Sequence, residues 1–183
     1  MSLPSVRVPG VDDHGWVDGF SLRKALAGLT PEEFVRIYPP GALEAEISLP
    51  DSLRQVEGDA QGHQLLTISD RGLEGLRYHG CVAFLTKRPG NPFPLLISIG
   101  RSVSNDLVLA TDSVSKMHGY FTRSQGVWSY SDRSSTNGSF LNGRKLEPET
   151  KHSLEAGDIL RLGPNAVLRF EDSSSLYRRF GTA

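Results

Sequence analysis

From Gly80 onward the chain is a succession of short apolar runs separated by turn-forming residues: Cys81 to Leu85, Leu95 to Ile99, Leu107 to Leu109, Gly119 to Thr122, Val127 to Ser131, Phe140 to Leu141, Asp158 to Leu162 and Ala166 to Phe170. That spacing predicts an antiparallel β-sandwich joined by hairpins. Within the later runs Leu160 and Leu162 alternate with Ile159 and Arg161, and Leu168 and Phe170 flank Arg169, the period of half-buried strands. The 19 glycines and 11 prolines among 183 residues supply the turns.

The half before Gly80 reads differently. Residues 1 to about 19 mix Pro, Gly, Asp and Ser without periodicity and predict a loop or an arm on the surface. Phe20, Leu22, Leu26 and Leu29 stand close to helical spacing, and Thr30-Pro31-Glu32-Glu33 is an N-cap, an N1 proline and an acidic first turn. Phe34, Val35 and Ile37 are expected to face inward, and Pro39-Pro40-Gly41 ends that second helix. Between Ala42 and Gly80 the signals are a strand at Leu65 to Ser69 and a polar loop around Asp51 to Gly62. Ser173-Ser174-Ser175 is expected to cap a short helix with Leu176 and Phe180 on one face. The expected division is a partly helical extension at 1–78, a sandwich at 79–172 and a short helix or tail at 173–183.

Twenty basic against 21 acidic residues give a formal net charge of −1, which provides no whole-molecule field for nucleic acid or an anionic membrane. No stretch has the roughly 20 apolar residues of a membrane span, and Cys81, the single cysteine, excludes an internal disulfide. A protein of the cytoplasm is the expectation, with no cofactor and with oligomeric state left open.

Three loops concentrate the groups that a phosphate needs. The first is Gly100-Arg101-Ser102 at the end of an apolar run, and the second, Ser113 to His118, sets the Ser115 hydroxyl beside the Lys116 ammonium. The third, Asp132 to Gly143, is dense in hydroxyls, amides and glycines. A phosphoryl group carries nearly two negative charges and three acceptor oxygens, so it needs several converging donors, at least one of them cationic. Each residue also has a plainer reading: Arg101 as a solvated charge, Ser115 and Thr136 as turn-satisfying hydroxyls, Asn137-Gly138 and Asn142-Gly143 as hairpin turns.

Taken together, Gly100-Arg101, Asn105 to Leu109, Val114 to His118, Ser135 to Gly143 and Leu154 to Gly163 resemble the forkhead-associated (FHA) domain family, in order and at compatible spacing, over about residues 79 to 172. The resemblance implies a sandwich whose apical loops bind a phosphothreonine-containing partner modified by a Ser/Thr kinase, an adaptor in signal transduction. It implies that Arg101 and Ser115 contact the phosphate, that Lys116 and Thr136 add donors, and that Asn137 grips the ligand main chain. Gly100, His118 and Gly138 would brace the loops, and Asn142, Gly143 and Arg144 would refine specificity, Arg144 by meeting an acidic side chain. Two positions depart from the pattern: Lys116 replaces a planar arginine fork, and Ser134 stands where glycine is frequent. The alternative function is a phosphate-independent scaffold of the same fold.

An enzyme is not expected. His118 follows Ser115 by three positions, but no nucleophile elbow accompanies them. His79 and Cys81 form a pair without the further ligands that a metal site requires.

Overall fold

The computed structural model describes residues 10–46, 54–58, 64–68 and 78–181. Its strands are β1 (Val17–Asp18), β2 (Gly41–Ala45), β3 (Arg54–Gly58), β4 (Gln64–Ile68), β5 (Cys81–Phe84), β6 (Ile97–Gly100), β7 (Leu107–Val108), β8 (Gly119–Ser124), β9 (Val127–Asp132), β10 (Ser139–Leu141), β11 (Arg144–Lys145), β12 (His152–Leu154), β13 (Ile159–Leu162) and β14 (Ala166–Asp172). The helices are α1 (Gly19–Leu26), α2 (Pro31–Ile37) and α3 (Ser173–Phe180).

These strands form a β-sandwich. One sheet runs β1-β5-β2-β14-β13-β10-β11 and the other β12-β9-β8-β6-β7, while β3 and β4 pair as a separate hairpin. Pairing is antiparallel except between β6 and β7, which run parallel. Leu43, Leu160, Leu162 and Leu168 of the first sheet pack against Ile97, Ile99, Phe121 and Tyr130 of the second. β5 is apolar along its whole length because both of its faces are covered: Ala83 enters the sandwich core, and Val82 and Phe84 enter a second cluster on the outer face.

That second cluster is built by the helices. Asp18 caps α1 by accepting the Ser21 N–H at 2.9 Å, and Leu22 and Leu26, one turn apart, are buried. Each buried leucine contributes about 1.5–3 kcal/mol. Thr30 caps α2 with Pro31 and two acids in its first turn, as the sequence predicts, and Glu33 returns a bond to the Thr30 N–H that completes a capping box. In α3 the cap is Asp172, whose carboxylate accepts the Ser175 N–H at 2.7 Å, so the three serines form the first turn and not the cap. Leu176 and Phe180 face inward from α3, as expected.

Several expectations change. Phe20 is 79% exposed, Val35 52% and Ile37 43%. Phe20 is two residues, about 200° of helix, from Leu22, and Val35 is one residue, about 100°, from the buried Phe34, so both leave the buried stripe, whereas Ile37 shares the face of Phe34 but is the last residue of α2. The expected loop at 51–62 contains β3, paired with the expected strand near Leu65, which runs Gln64–Ile68. Ser69 and the parts of the expected arm and loop at 1–9, 51–53 and 59–62 lie outside the described residues.

The division at residue 78 also differs from the structure. β2 is an interior strand, bonded to β14 on one side and β5 on the other, so the first 78 residues contribute to the sandwich itself. The prolines before Gly41 hid this strand. A Cβ on Gly41 would stand 2.6 Å from the indole nitrogen of Trp128, so the glycine there admits a ring from the opposite sheet. The residues before β1 also pack on the fold: the Trp16 indole donates to the Val108 carbonyl at 2.8 Å, and the Val108 N–H donates to the His14 carbonyl at 2.9 Å.

Candidate functional site

The first and second loops meet through main-chain bonds. The N–H groups of Arg101 and Ser102 donate to the carbonyls of Ser115 and Lys116 at 3.0 and 3.1 Å. The Asn105 amide donates to the same Lys116 carbonyl at 2.6 Å. The approach leaves no room at Gly100, where a Cβ would stand 2.4 Å from the Lys116 oxygen. Behind the first loop lies Asp106, a buried carboxylate that accepts from Lys87 at 2.7 Å, Arg88 N–H at 2.8 Å, Asn91 at 2.9 Å and Ser98 N–H at 2.8 Å. So many donors remove the penalty of burying its charge and fix the loop from below.

The third loop joins the second through side chains. The Ser115 hydroxyl accepts the Thr136 N–H at 3.0 Å and stands 3.4 Å from the Thr136 hydroxyl. The Asn137 amide donates to the Ser113 carbonyl at 2.9 Å, which holds its plane while its carbonyl and second N–H remain exposed donors and acceptors. The fold therefore brings Arg101, Ser115, Lys116, Thr136 and Asn137 to one end of the sandwich. Arg101 and Lys116 are exposed, and neither side chain has a hydrogen-bond or ion-pair partner among the described residues.

His118 sits beneath this surface, fully buried. Its Nδ1 accepts the Ser115 N–H at 3.1 Å, so Nε2 carries the proton and donates to the Gly138 carbonyl at 3.3 Å. Asp132 is 3.8 Å from Nε2. Burial pushes the His118 pKa below its ordinary value, and Asp132 and the Gly138 carbonyl oppose that shift without reversing it. An imidazole whose folded pKa is depressed supports the fold above its unfolded pKa, about 6.5, and the support is lost as pH falls through the lower folded value. Protonating Nδ1 also expels the Ser115 N–H. Stability is therefore expected to fall below about pH 6.5, with a component that His118→Gln removes, and imidazole NMR shifts should titrate below that value. Titration of His118 at or above the free value would contradict this placement.

Asp132 shapes the third loop by accepting the Ser135 N–H at 2.8 Å, the Ser135 hydroxyl at 2.6 Å and the Ser139 hydroxyl. Ser134 has φ of +50°, the left-handed backbone that the missing glycine would have eased. The cost is about 1 kcal/mol, held in place by the bonds of its neighbours to Asp132.

The outer part of the third loop is the hairpin turn that its Asn-Gly pair allowed. Asn142 and Gly143, with φ of +50° and +83°, are the turn between β10 and β11. Asn142 is committed to that turn: its amide donates to Asp158 at 2.8 Å and its carbonyl accepts the Ile159 N–H at 2.9 Å. Arg144 pairs with Leu141, which packs on the sandwich core, so strand alternation directs it to the face opposite Phe140. Its neighbour Lys145, which the sequence did not single out, shares the face of Phe140. A register two residues past an Asn-Gly turn was the available signal.

The FHA domain family model matches residues 97–163, a span that includes all three loops. The chain contains an FHA domain. It is similar to an FHA domain-containing protein of Arabidopsis thaliana, 34% identical over 80 residues, which are 43% of this chain and 20% of that relative; the match thus spans a fifth of the relative's length. Among solved structures, an FHA domain of a hypothetical Arabidopsis thaliana protein is 23% identical with a TM-score of 0.46, covering 74% of this chain and 86% of that one. Mycobacterium tuberculosis EmbR, in complex with a low-affinity phosphopeptide, is 24% identical with a TM-score of 0.39, covering 44% of this chain and 21% of that one. Among the described residues no group of three His, Cys, Asp or Glu could hold a metal ion, and no helix is long and apolar enough to cross a membrane.

Proposed function

We propose that this FHA domain reads phosphothreonine in a partner protein modified by a Ser/Thr kinase, and that it acts as an adaptor and not as a catalyst. The observation that carries the reading is the junction of Ser115 with Thr136 at 3.0 Å beside two cations, Arg101 and Lys116, that have no partner among the described residues. A dianion with three acceptor oxygens matches two hydroxyls, a guanidinium and an ammonium on one surface. Asn137, braced on Ser113, supplies the amide that fixes the direction of the ligand main chain. Inorganic phosphate engages none of this last contact, so a peptide is the ligand. Binding of one peptide in its phosphorylated and unphosphorylated forms tests the reading: the phosphorylated form binds, and equal binding of both would contradict it.

A further inference from the structure

Two more cations border Asn137 without taking part in the proposed phosphate contacts. Antiparallel pairing sets Phe140 between Lys145 of β11 and Arg161 of β13, with all three side chains on one face. That face is the outer one, since Leu160 and Leu162 on either side of Arg161 enter the core. The Arg161 guanidinium lies 3.8 Å over the Phe140 ring and donates to the Gly163 carbonyl at 2.7 Å, so two contacts hold it. Lys145 leans along the sheet toward the third loop: a Cβ on Gly138 would stand 3.1 Å from its Cε and 3.9 Å from its Nζ. Gly138 adjoins Asn137 in the chain, and Gly163 adjoins it in space, where a Cβ would meet the Asn137 Cβ at 3.3 Å. Lys145 thus packs over the neighbour of Asn137 in the chain, and Arg161 bonds the glycine whose backbone faces Asn137. Neither has a carboxylate partner among the described residues.

We propose that Lys145 and Arg161, with the Phe140 ring between them, form an anion shelf beside Asn137 that selects phosphothreonine peptides carrying a second negative side chain. The shelf rests on the phosphopeptide reading above and specifies the ligand further. A peptide held at Asn137 that continues toward β10 crosses Phe140 with a cation on either hand. The shared chemistry of the second group is an anion, whether a carboxylate or a second phosphate. Lys145 is exposed and Arg161 half-buried, so the gain in affinity is modest, about threefold to fivefold.

The test begins with the full chain and an oriented phosphothreonine library degenerate on both sides, which locates the position enriched in acid. Peptides alike except for Asp, phosphoserine or Asn at that position are then titrated calorimetrically at fixed salt. The Asp or phosphoserine form is expected to bind about threefold to fivefold tighter than the Asn form. Whichever form gains identifies the source of the anion. In Lys145→Gln the gap should narrow below about twofold while the Asn peptide keeps its affinity; in Arg144→Gln, altered on the opposite face of β11, the gap should persist. No acidic enrichment, equal affinities in wild type, a gap that survives Lys145→Gln, or an equal loss for all peptides in that variant overturns the shelf. Absence of binding by every phosphothreonine peptide overturns the phosphopeptide reading along with it, whereas equal binding of the Asp and Asn forms removes the shelf alone.

Discussion

Replacing Arg101 with alanine is expected to abolish measurable phosphopeptide binding and to leave the unfolding transition where it was. Each charge-assisted hydrogen bond to a dianion contributes about 1.5–3 kcal/mol. Losing one weakens binding roughly tenfold to 150-fold, and losing the two prongs of a guanidinium weakens it further. Lys116 does not offset that loss, because it is a compact ammonium and lacks the planar fork. Stability should stay within about 0.5 kcal/mol of wild type, since the Arg101 side chain is exposed and without a partner among the described residues. Calorimetric titration with a peptide that binds wild type, paired with urea denaturation, separates the two effects. Unchanged affinity would place Arg101 outside the site.

Gly100→Ala should give the complementary signature, a loss of stability that carries binding with it. The added methyl would stand 2.4 Å from the Lys116 carbonyl oxygen and 2.9 Å from the Asn105 amide nitrogen. That carbonyl already accepts the Ser102 N–H at 3.1 Å and the Asn105 amide at 2.6 Å, so it cannot retreat without breaking bonds. Overpacking typically costs about 1–3 kcal/mol and each broken bond about 1 kcal/mol more, for a loss on the order of 3 kcal/mol. The urea midpoint should fall accordingly. Phosphopeptide affinity should fall as well, because the first and second loops are aligned through this carbonyl. A variant as stable as wild type would mean that the loops approach less closely at Gly100 than they do here.

The same two residues show what the sequence made legible. Gly100 and Arg101 stand at the end of an apolar run, and the runs that became β5, β8, β9, β13 and β14 all carried a strand's alternation or a fully apolar stretch. Where burial did not write itself into the pattern, strands were missed. β11 is two charged residues and β12 offers one leucine, Leu154; both exist because a neighbouring strand supplies their hydrogen bonds. β2 followed two prolines and was hidden for the same reason, since its interior place depends on β14, which is more than a hundred residues away.

For the site, residue type alone indicated which loops hold donors, but not how the loops are joined. The bonds from Thr136 to Ser115 and from Asn137 to Ser113 are tertiary and leave no local trace. The supports of the first loop were equally silent: Asp106 draws on Lys87, Asn91 and Ser98, each polar residue unremarkable where it stands. Arg144 looked like the outer cation because its place after the turn was clear while its face was not. A turn of two residues fixes the register, and the register hands the third-loop face to Lys145.

Reading of phosphothreonine by the three loops predicts a different affinity for each form of one peptide prepared with phosphothreonine, phosphoserine, phosphotyrosine or unmodified threonine at a single position. Titrated against wild type at fixed salt, which holds screening constant, the four forms should separate. Phosphothreonine binds tightest. Phosphoserine lacks a methyl worth about 0.8 kcal/mol when buried and gives up more rotamer freedom on binding, so it binds several-fold more weakly. Phosphotyrosine carries its phosphate too far from the main chain for Arg101 and Asn137 to act together, and it binds poorly. Unmodified threonine does not bind measurably. Equal affinity for phosphothreonine and phosphoserine, or appreciable binding of the unmodified peptide, would contradict phosphothreonine reading by these loops.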